Sequence, residues 1–466
     1  MRVNENLVDC LVKEVMNSLE DRLEKEEQAG GDGVFKDVNE AVAAAKKAQE
    51  ELFRMTLSDR KRITDAIRQD MDAYVEELSR RTVEETGMGR LEDKIQKNRV
   101  ALKQTPGIED LPSYVYTGDR GLTLLELSPF GVIGSITPST NPTETVFCNA
   151  IGMICAGNSV VFSPHPGAYK VTNYTVELIN KAIVKAGGPK NLVVTLNEPS
   201  LEKSNTLMAH PDIRMLVATG GPAIVKTVLS SGKKAIGAGA GNPPALVDQT
   251  ANIEKAVKDI VAGCSFDNNL PCTSEKEAIV VDEVFEYFVF NMKHHPETYF
   301  LEDPAKIEAL KELVVKEGKP NKAFTGKDAS YILGKIGIEA DKKIKLISCV
   351  TDFDHPFVQL ELLMPILPIV RAENRESALN LALKAEHGNR HTATCHSRDI
   401  EFLSKAAKEM QTTIFVKNAP SFAGLGIGGE GYTTFTIAGP TGEGLTSTKS
   451  FCRHRRCSLV DGFNIR

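Results

Sequence analysis

Cys272 stands on a loop between a proline and a polar run, in Phe266-Asp267-Asn268-Asn269-Leu270-Pro271-Cys272-Thr273-Ser274-Glu275-Lys276. A thiol in that setting could be presented as a nucleophile, attack a carbonyl carbon and carry the acyl group as a thioester. A free thiol has a pKa of about 8.5, so only a small fraction is ionised at neutral pH unless its surroundings intervene. Upstream, the glycine-rich run Gly237-Ala238-Gly239-Ala240-Gly241-Asn242-Pro243-Pro244 ends a predicted strand and carries no carboxylate. A nucleophilic cysteine without a neighbouring base to activate water suits acyl transfer onto a thiol.

Other residues compete for such roles. Of the nine cysteines, Cys264 is the nearest alternative, but it follows the helical Ile253 to Ala262 and is expected to pack as a small hydrophobe. The run Leu216-Val217-Ala218-Thr219-Gly220-Gly221-Pro222 reads as strand, tight turn and helix start. Backbone N–H groups at such a helix N-terminus suit a pyrophosphate, although the same residues would also make a plain strand-to-helix turn. Asn141 before Pro142 reads by itself as a helix cap.

Two other patterns lack the context their chemistry needs. Gly424-Leu425-Gly426-Ile427-Gly428-Gly429 satisfies the dinucleotide spacing, but no amphipathic helix follows before Pro440. Of His387, His391 and His396, the first two have Gly388 and Asn389 to break any helix between them, and no acidic or cysteine partner stands at ligand spacing, so no metal is expected. Arg453-His454-Arg455-Arg456 reads as a solvated face or an interface strand.

These residues need a scaffold, and the hydropathy pattern supplies one. Short β-prone runs, Gly131 to Ile136, Ser159 to Phe162, Leu192 to Leu196, Met215 to Thr219 and Ala235 to Gly239, alternate with helical ones, as in a doubly wound parallel sheet. Ligands of such sheets bind at the carboxyl ends of the strands. A second α/β unit begins near Pro243, with β-prone Ala278 to Val281, Ile366 to Val370 and Thr413 to Val416; a further strand is expected around Cys457 to Val460. Asp37 to about Arg99 is predicted to be mostly helical.

With 466 residues the chain can form two or three domains. A net charge of −6 with interspersed signs offers no basic face for nucleic acid. The odd, scattered cysteines suit reduced thiols. The apolar stretch Leu360 to Val370 is interrupted by Glu361, Pro365 and Pro368, so no membrane span and a soluble protein are expected. Near the N-terminus, Leu7, Val8, Leu11, Val12, Val15, Met16 and Leu19 follow helical periodicity and lead to the hinge Ala29-Gly30-Gly31-Asp32-Gly33. Charges within it exclude a secretory signal. The helix either packs on its own domain or docks in a partner's groove.

Asn268-Asn269-Leu270-Pro271-Cys272, Thr137 to Glu144, Gly237 to Pro244 and Glu430-Gly431-Tyr432 to Gly444 together resemble the aldehyde dehydrogenase superfamily. Within it they are most similar to the CoA-acylating members of bacterial microcompartments, which take short aldehydes such as propionaldehyde; the likeness runs from about Gly33 along most of the chain. The resemblance implies residues 1–33 as docking helix and linker and 34–242 as a doubly wound cofactor-binding domain with an oligomerisation hairpin near 116–127. It implies a second α/β catalytic domain over 243–440 and an oligomerisation strand over 441–466. It makes Cys272 the nucleophile, gives the oxyanion to Asn141 and the Cys272 N–H, and puts Ala238 where hydrolytic relatives have a glutamate. Thr219, Gly220, Gly221, Pro222 and Ser163 would contact NAD, and Glu361 the nicotinamide ribose.

Ser163 and Pro166 stand where a lysine and a glutamate usually grip the adenosine ribose. Coenzyme A is the implied co-substrate, a dimer or tetramer the implied assembly, and the cytoplasm, inside a microcompartment whose shell the N-terminal helix binds, the implied location. Two alternatives remain: the same fold passing its acyl group to water or phosphate, and a non-catalytic interaction protein.

Overall fold

The computed structural model describes residues 33–465. The expected N-terminal docking helix lies outside the described residues. Four helices, Val38–Phe53, Leu57–Asp72, Val75–Thr86 and Leu91–Gln104, lie between the short edge strand Val34–Phe35 and the other strands of the main sheet. The first starts where the Asp37 carboxylate accepts from the N–H groups of Asn39 and Glu40, the second where Thr56 and Asp59 form a capping box.

Six parallel strands make the first sheet, in the order Val34–Phe35, Val193–Leu196, Ser159–Ser163, Val132–Ile136, Ile213–Thr219, Lys234–Ala238. Their Val- and Ile-rich interiors are buried on both faces, as all-parallel sheets require. The chain winds one way from Val132–Ile136 through Ser159–Ser163 and then returns to place Ile213–Thr219 on its other side. Winding therefore reverses between these two strands, and a crevice opens beyond their carboxyl ends. Thr137 to Asn141 leave one strand there and Gly220 to Pro222 the other.

The second sheet has seven parallel strands, in the order Thr298–Phe300, Leu346–Val350, Ile366–Ala372, Glu277–Val281, Pro244–Val247, Thr392–His396, Ile414–Lys417. Sequence periodicity finds three of these. Pro244–Val247 escapes because it opens on a proline, tolerated at a first strand position, and Thr392–His396 because it is short and polar although fully buried. A third, antiparallel sheet joins the hairpin Tyr114–Gly118 and Gly121–Pro129 to Cys452–Val460. Pairing along the whole hairpin strand extends this last element beyond the expected Cys457 to Val460 and takes in the exposed Arg453 to Arg456.

Two elements aim the chemistry. Helix Pro142–Cys155, buried at every position, lies under the first sheet and starts directly after Asn141. Helix Ile253–Ser265 runs into Phe266–Asn269, where Asp267, Asn268 and Asn269 take φ of 48°, 54° and 66° in succession. Asp and Asn tolerate this left-handed region better than other L-residues, but three in a row need outside support.

Phe147 fills the core side of helix Pro142–Cys155 with no exposure. Phe147→Ala should therefore lower the unfolding free energy by about 3–5 kcal/mol in denaturant titration; a loss below about 1 kcal/mol would contradict this anchoring.

Candidate active site

The crevice between the sheets encloses a cleft of about 360 Å³, lined by Cys272, Asn141, Thr219, Gly220, Gly221, Pro222, Ser163 and Glu361 among others. The structure thus brings every sequence-expected site residue to one cavity. Ala238 ends its strand, buried, with its carbonyl accepting from Gly220 N–H at 3.1 Å; the residues of that run that face the cleft are Gly239 and Ala240. No carboxylate comes from this wall.

Cys272 follows the left-handed run and is half-buried at the cleft wall, whereas Cys264 is sealed in the core with Asn269 Nδ2 donating to its sulfur at 3.3 Å. Burial and the nearby Glu361 charge push the Cys272 thiol up to about 12, against the opposing pull of Lys276. The resting group is a protonated thiol. A glycine is required at 241 because a Cβ there would come within 2.9 Å of the Cys272 carbonyl oxygen and 2.8 Å of the His391 ring.

Among the described residues Glu361 is the one carboxylate lining the cleft, and it comes from the second α/β unit rather than from the glycine-rich run. Gly241 N–H donates to its Oε1 at 3.3 Å. Burial pushes its pKa up to about 7, with Lys276 and the Gly241 N–H holding it from rising further. The sulfur therefore has an acidic neighbour that sequence reading assigned only to a ribose.

Asn141 precedes the helix but does not cap it with its side chain. Its Oδ1 accepts from Lys97 Nζ at 2.5 Å instead, while its Nδ2 donates to Thr140 Oγ1 at 3.3 Å. Lys97 also bonds Asp267 Oδ2 at 2.5 Å and faces Glu144 Oε1 at 3.1 Å, all with no exposed side-chain surface. Burial disfavours the charge on Lys97, but Asp267 and Glu144 outweigh it and hold the pKa above the ordinary lysine value.

The strained loop is held from all sides. Asp267 Oδ2 accepts from Lys94 Nζ at 3.0 Å, and its Oδ1 accepts from Arg90 N–H at 2.8 Å. Asn268 Nδ2 donates to Gly326 O and Asp328 Oδ1, both at 2.9 Å. Asn269 Nδ2 donates to Cys264 O at 2.8 Å and Glu275 O at 2.9 Å, and its Oδ1 accepts from the buried Lys276 Nζ at 2.5 Å. Sequence reading missed Lys94, Lys97, Asp267 and Lys276 as supports. The spacing of Lys94 and Lys97 on one helix face was the available signal, and it looks the same as a solvated face.

At the other end of the cleft, no side chain caps helix Pro222–Leu229, so its first N–H groups remain available beside Gly220 and Gly221. A Cβ on Gly221 would meet nothing within 4 Å, so the glycine leaves room for a ligand against the backbone. Ser163 and Ser204 hydroxyls are 2.9 Å apart at this end, beside His165 and Pro166. These features fit the phosphates and ribose of a dinucleotide.

His391 is buried with Nδ1 2.9 Å from Thr392 Oγ1, and burial with Lys276 pushes its pKa down to about 4. Among the described residues no cluster of three or more His, Cys, Asp or Glu side chains could hold a metal ion, and no helix is long and apolar enough to cross a membrane.

Two parallel sheets flanking one cleft, with a loop-borne thiol at one end and an open helix N-terminus at the other, have the parts of a dinucleotide-binding enzyme with a cysteine at its reacting end. The profile of the Aldehyde dehydrogenase family matches residues 29–311. The propanal dehydrogenase (CoA-propanoylating) of Salmonella typhimurium is 49% identical over 440 residues, 94% of each chain. The crystal structure of Rhodopseudomonas palustris propionaldehyde dehydrogenase with bound CoA and an acylated cysteine shares 58% identity and a TM-score of 0.91, over 93% of this chain and 100% of that one. A propionaldehyde dehydrogenase from the Clostridium phytofermentans fucose utilisation bacterial microcompartment gives 48% and 0.91, again over 93% and 100%. The chain belongs to the aldehyde dehydrogenase family. The expected aldehyde dehydrogenase-like α/β fold is borne out.

Since burial and Glu361 both hold the thiol protonated, alkylation of Cys272 by iodoacetamide, read by peptide mapping, should be slow near pH ~7 and still rising at pH ~9. Glu361→Gln should speed it at the higher pH by removing a negative neighbour. A plateau below pH ~8, or no response to that substitution, would contradict the assignment.

Proposed function

We propose that this protein is a CoA-acylating aldehyde dehydrogenase that oxidises a short aliphatic aldehyde, propionaldehyde above others, to its acyl-CoA. One observation carries the reading: Cys272 and Asn141 open on a single cleft whose glycine-rich wall holds no carboxylate. Cys272 releases its proton to solvent in the open cleft, and its sulfur attacks the aldehyde carbon as the carbonyl π bond opens onto oxygen. The adduct oxygen, now negative, is met by the Asn141 Nδ2 and the Cys272 N–H, the kind of donors whose loss costs about 2.7–4 kcal/mol in the barrier. When bound, the nicotinamide of NAD supplies the acceptor for the hydride that leaves this carbon. Cys272 then holds a thioester. The thiol of CoA displaces it, an exchange of one thioester for another at little free-energy cost.

Glu361 supports both a cofactor role and an alternative. With the cleft filled, its carboxylate would accept hydrogen bonds from the nicotinamide ribose hydroxyls, and the Gly220 to Pro222 turn would take the pyrophosphate, a reading supported by their shared cleft. A Glu361 left free, with a pKa of about 7, could instead activate water and release an acid. The 34–242 and 243–440 domains divide cofactor binding and nucleophile, with the Tyr114–Gly118 and Gly121–Pro129 hairpin and the 441–466 strand joining subunits into a dimer or tetramer. The relative from a microcompartment supports the same enclosed cytoplasmic location here; docking of residues 1–33 on the shell rests on the apolar periodicity of Leu7 to Leu19.

Propionaldehyde, NAD and purified enzyme should give sustained NADH formation and propionyl-CoA only when CoA is present, and Cys272→Ala should abolish both. Free propionic acid formed at a similar rate without CoA, and lost in Glu361→Gln, would establish the hydrolytic alternative instead. Removing residues 1–30 should leave this rate unchanged and abolish co-purification with shells; retained co-purification would reject the docking role.

A further inference from the structure

We propose that Lys97 is the positioning residue that decides which way the Asn141 amide faces; the inference rests on the oxyanion role of Asn141 proposed above. A carboxamide can turn by half a rotation and exchange its oxygen for its nitrogen with little change in shape. Only one of the two orientations serves an oxyanion: with the nitrogen toward the cleft it donates a proton, with the oxygen there it repels the developing charge. Neither the sequence around Asn141 nor the helix it precedes makes this choice, because its side chain does not cap that helix.

Lys97 makes it. An ammonium has three donors and no acceptor, so the atom facing it must be the amide oxygen. Lys97 Nζ lies 2.5 Å from Asn141 Oδ1. Turning the amide over would set N–H against N–H in a place with no water to mediate, since both lysine and carboxylate partners are fully buried. The lysine cannot swing away, because Asp267 Oδ2 at 2.5 Å and Glu144 Oε1 at 3.1 Å hold it on its other sides. One Asn141 Nδ2 proton goes to Thr140 Oγ1 at 3.3 Å, which leaves the second for the cleft. The cation behind the oxygen also polarises the amide and strengthens its N–H as a donor. Through Asp267 the same ammonium holds the loop that ends in Cys272, so one buried group registers the oxyanion donor against the nucleophile.

A double-mutant cycle on the single-turnover NADH burst with propionaldehyde tests this, using Lys97→Met, Asn141→Ala and the pair. Lys97→Met removes the donors while Lys94 still pairs with Asp267 at 3.0 Å. The burst should slow by about 100-fold or more in each single variant, with NAD dissociation constants within about twofold of wild type. If Lys97 acts through Asn141, the pair should be no slower than the slower single variant. Multiplying effects in the pair, a full-rate burst in Lys97→Met beside a slow one in Asn141→Ala, or a Lys97→Met protein that also loses NAD binding would each overturn the inference. A full-rate burst in Asn141→Ala would instead remove the oxyanion reading on which it rests, and the inference with it.

Discussion

The Asp267 carboxylate, buried without any solvent contact and paired with Lys94 and Lys97, is the constraint on which the site depends. It anchors three consecutive left-handed residues that no local preference would hold, and so fixes where Cys272 leaves the loop. Buried ion pairs are poor evidence of stability, because desolvation offsets most of their attraction. Removing one partner is different: it leaves an uncompensated charge and costs about 3–5 kcal/mol. The cluster is better understood as a device for registry than as a source of net stability, since its members come from three separate segments: the Leu91–Gln104 helix, the start of the Pro142–Cys155 helix and the Cys272 loop.

That registry matters because the two halves of the site ride on different sheets. Asn141 and the Gly220 to Pro222 turn follow strands of the first sheet, at the point where its winding reverses; Cys272 and Glu361 belong to the segment that builds the second. The chemistry between them depends on what is missing as well as what is present. A thioester formed on Cys272 would face a glycine-rich wall that carries no carboxylate. Among the described residues lining the cleft the one carboxylate is Glu361, bonded by Gly241 N–H; in the proposed cofactor role a ribose would occupy it. With that carboxylate engaged, water would be left without a base, while a thiol needs less help.

Much of this was legible before any coordinates. The alternation of β-prone and helical runs gave five of the six strands of the first sheet within a residue or two, missing only the two-residue Val34–Phe35, and the Cys272 loop, Asn141 and the Thr219 to Pro222 turn all reach the same cleft. What escaped has physical causes. Pro244–Val247 hides behind a proline, and Thr392–His396 is a buried strand of mostly polar residues whose face cannot be read from periodicity. Lys94 and Lys97 carry the pattern of a solvated helix face, and only the packing of that helix against Pro142–Cys155 buries them. Asn141 before a proline satisfies the rule for a cap, yet a lysine distant in sequence takes its side chain. Ala238 was expected on the cleft wall and lies just behind it, with Gly239 and Ala240 in front.

The central claim is that an acyl group waits on Cys272 for a thiol. Intact-protein and peptide mass spectrometry after brief incubation with propionaldehyde and NAD, CoA withheld, measures it directly. The account predicts a propionyl group on the Cys272 peptide that persists and disappears on adding CoA, with propionyl-CoA formed in equal amount. An unmodified Cys272 with free propionic acid accumulating in solution would contradict it.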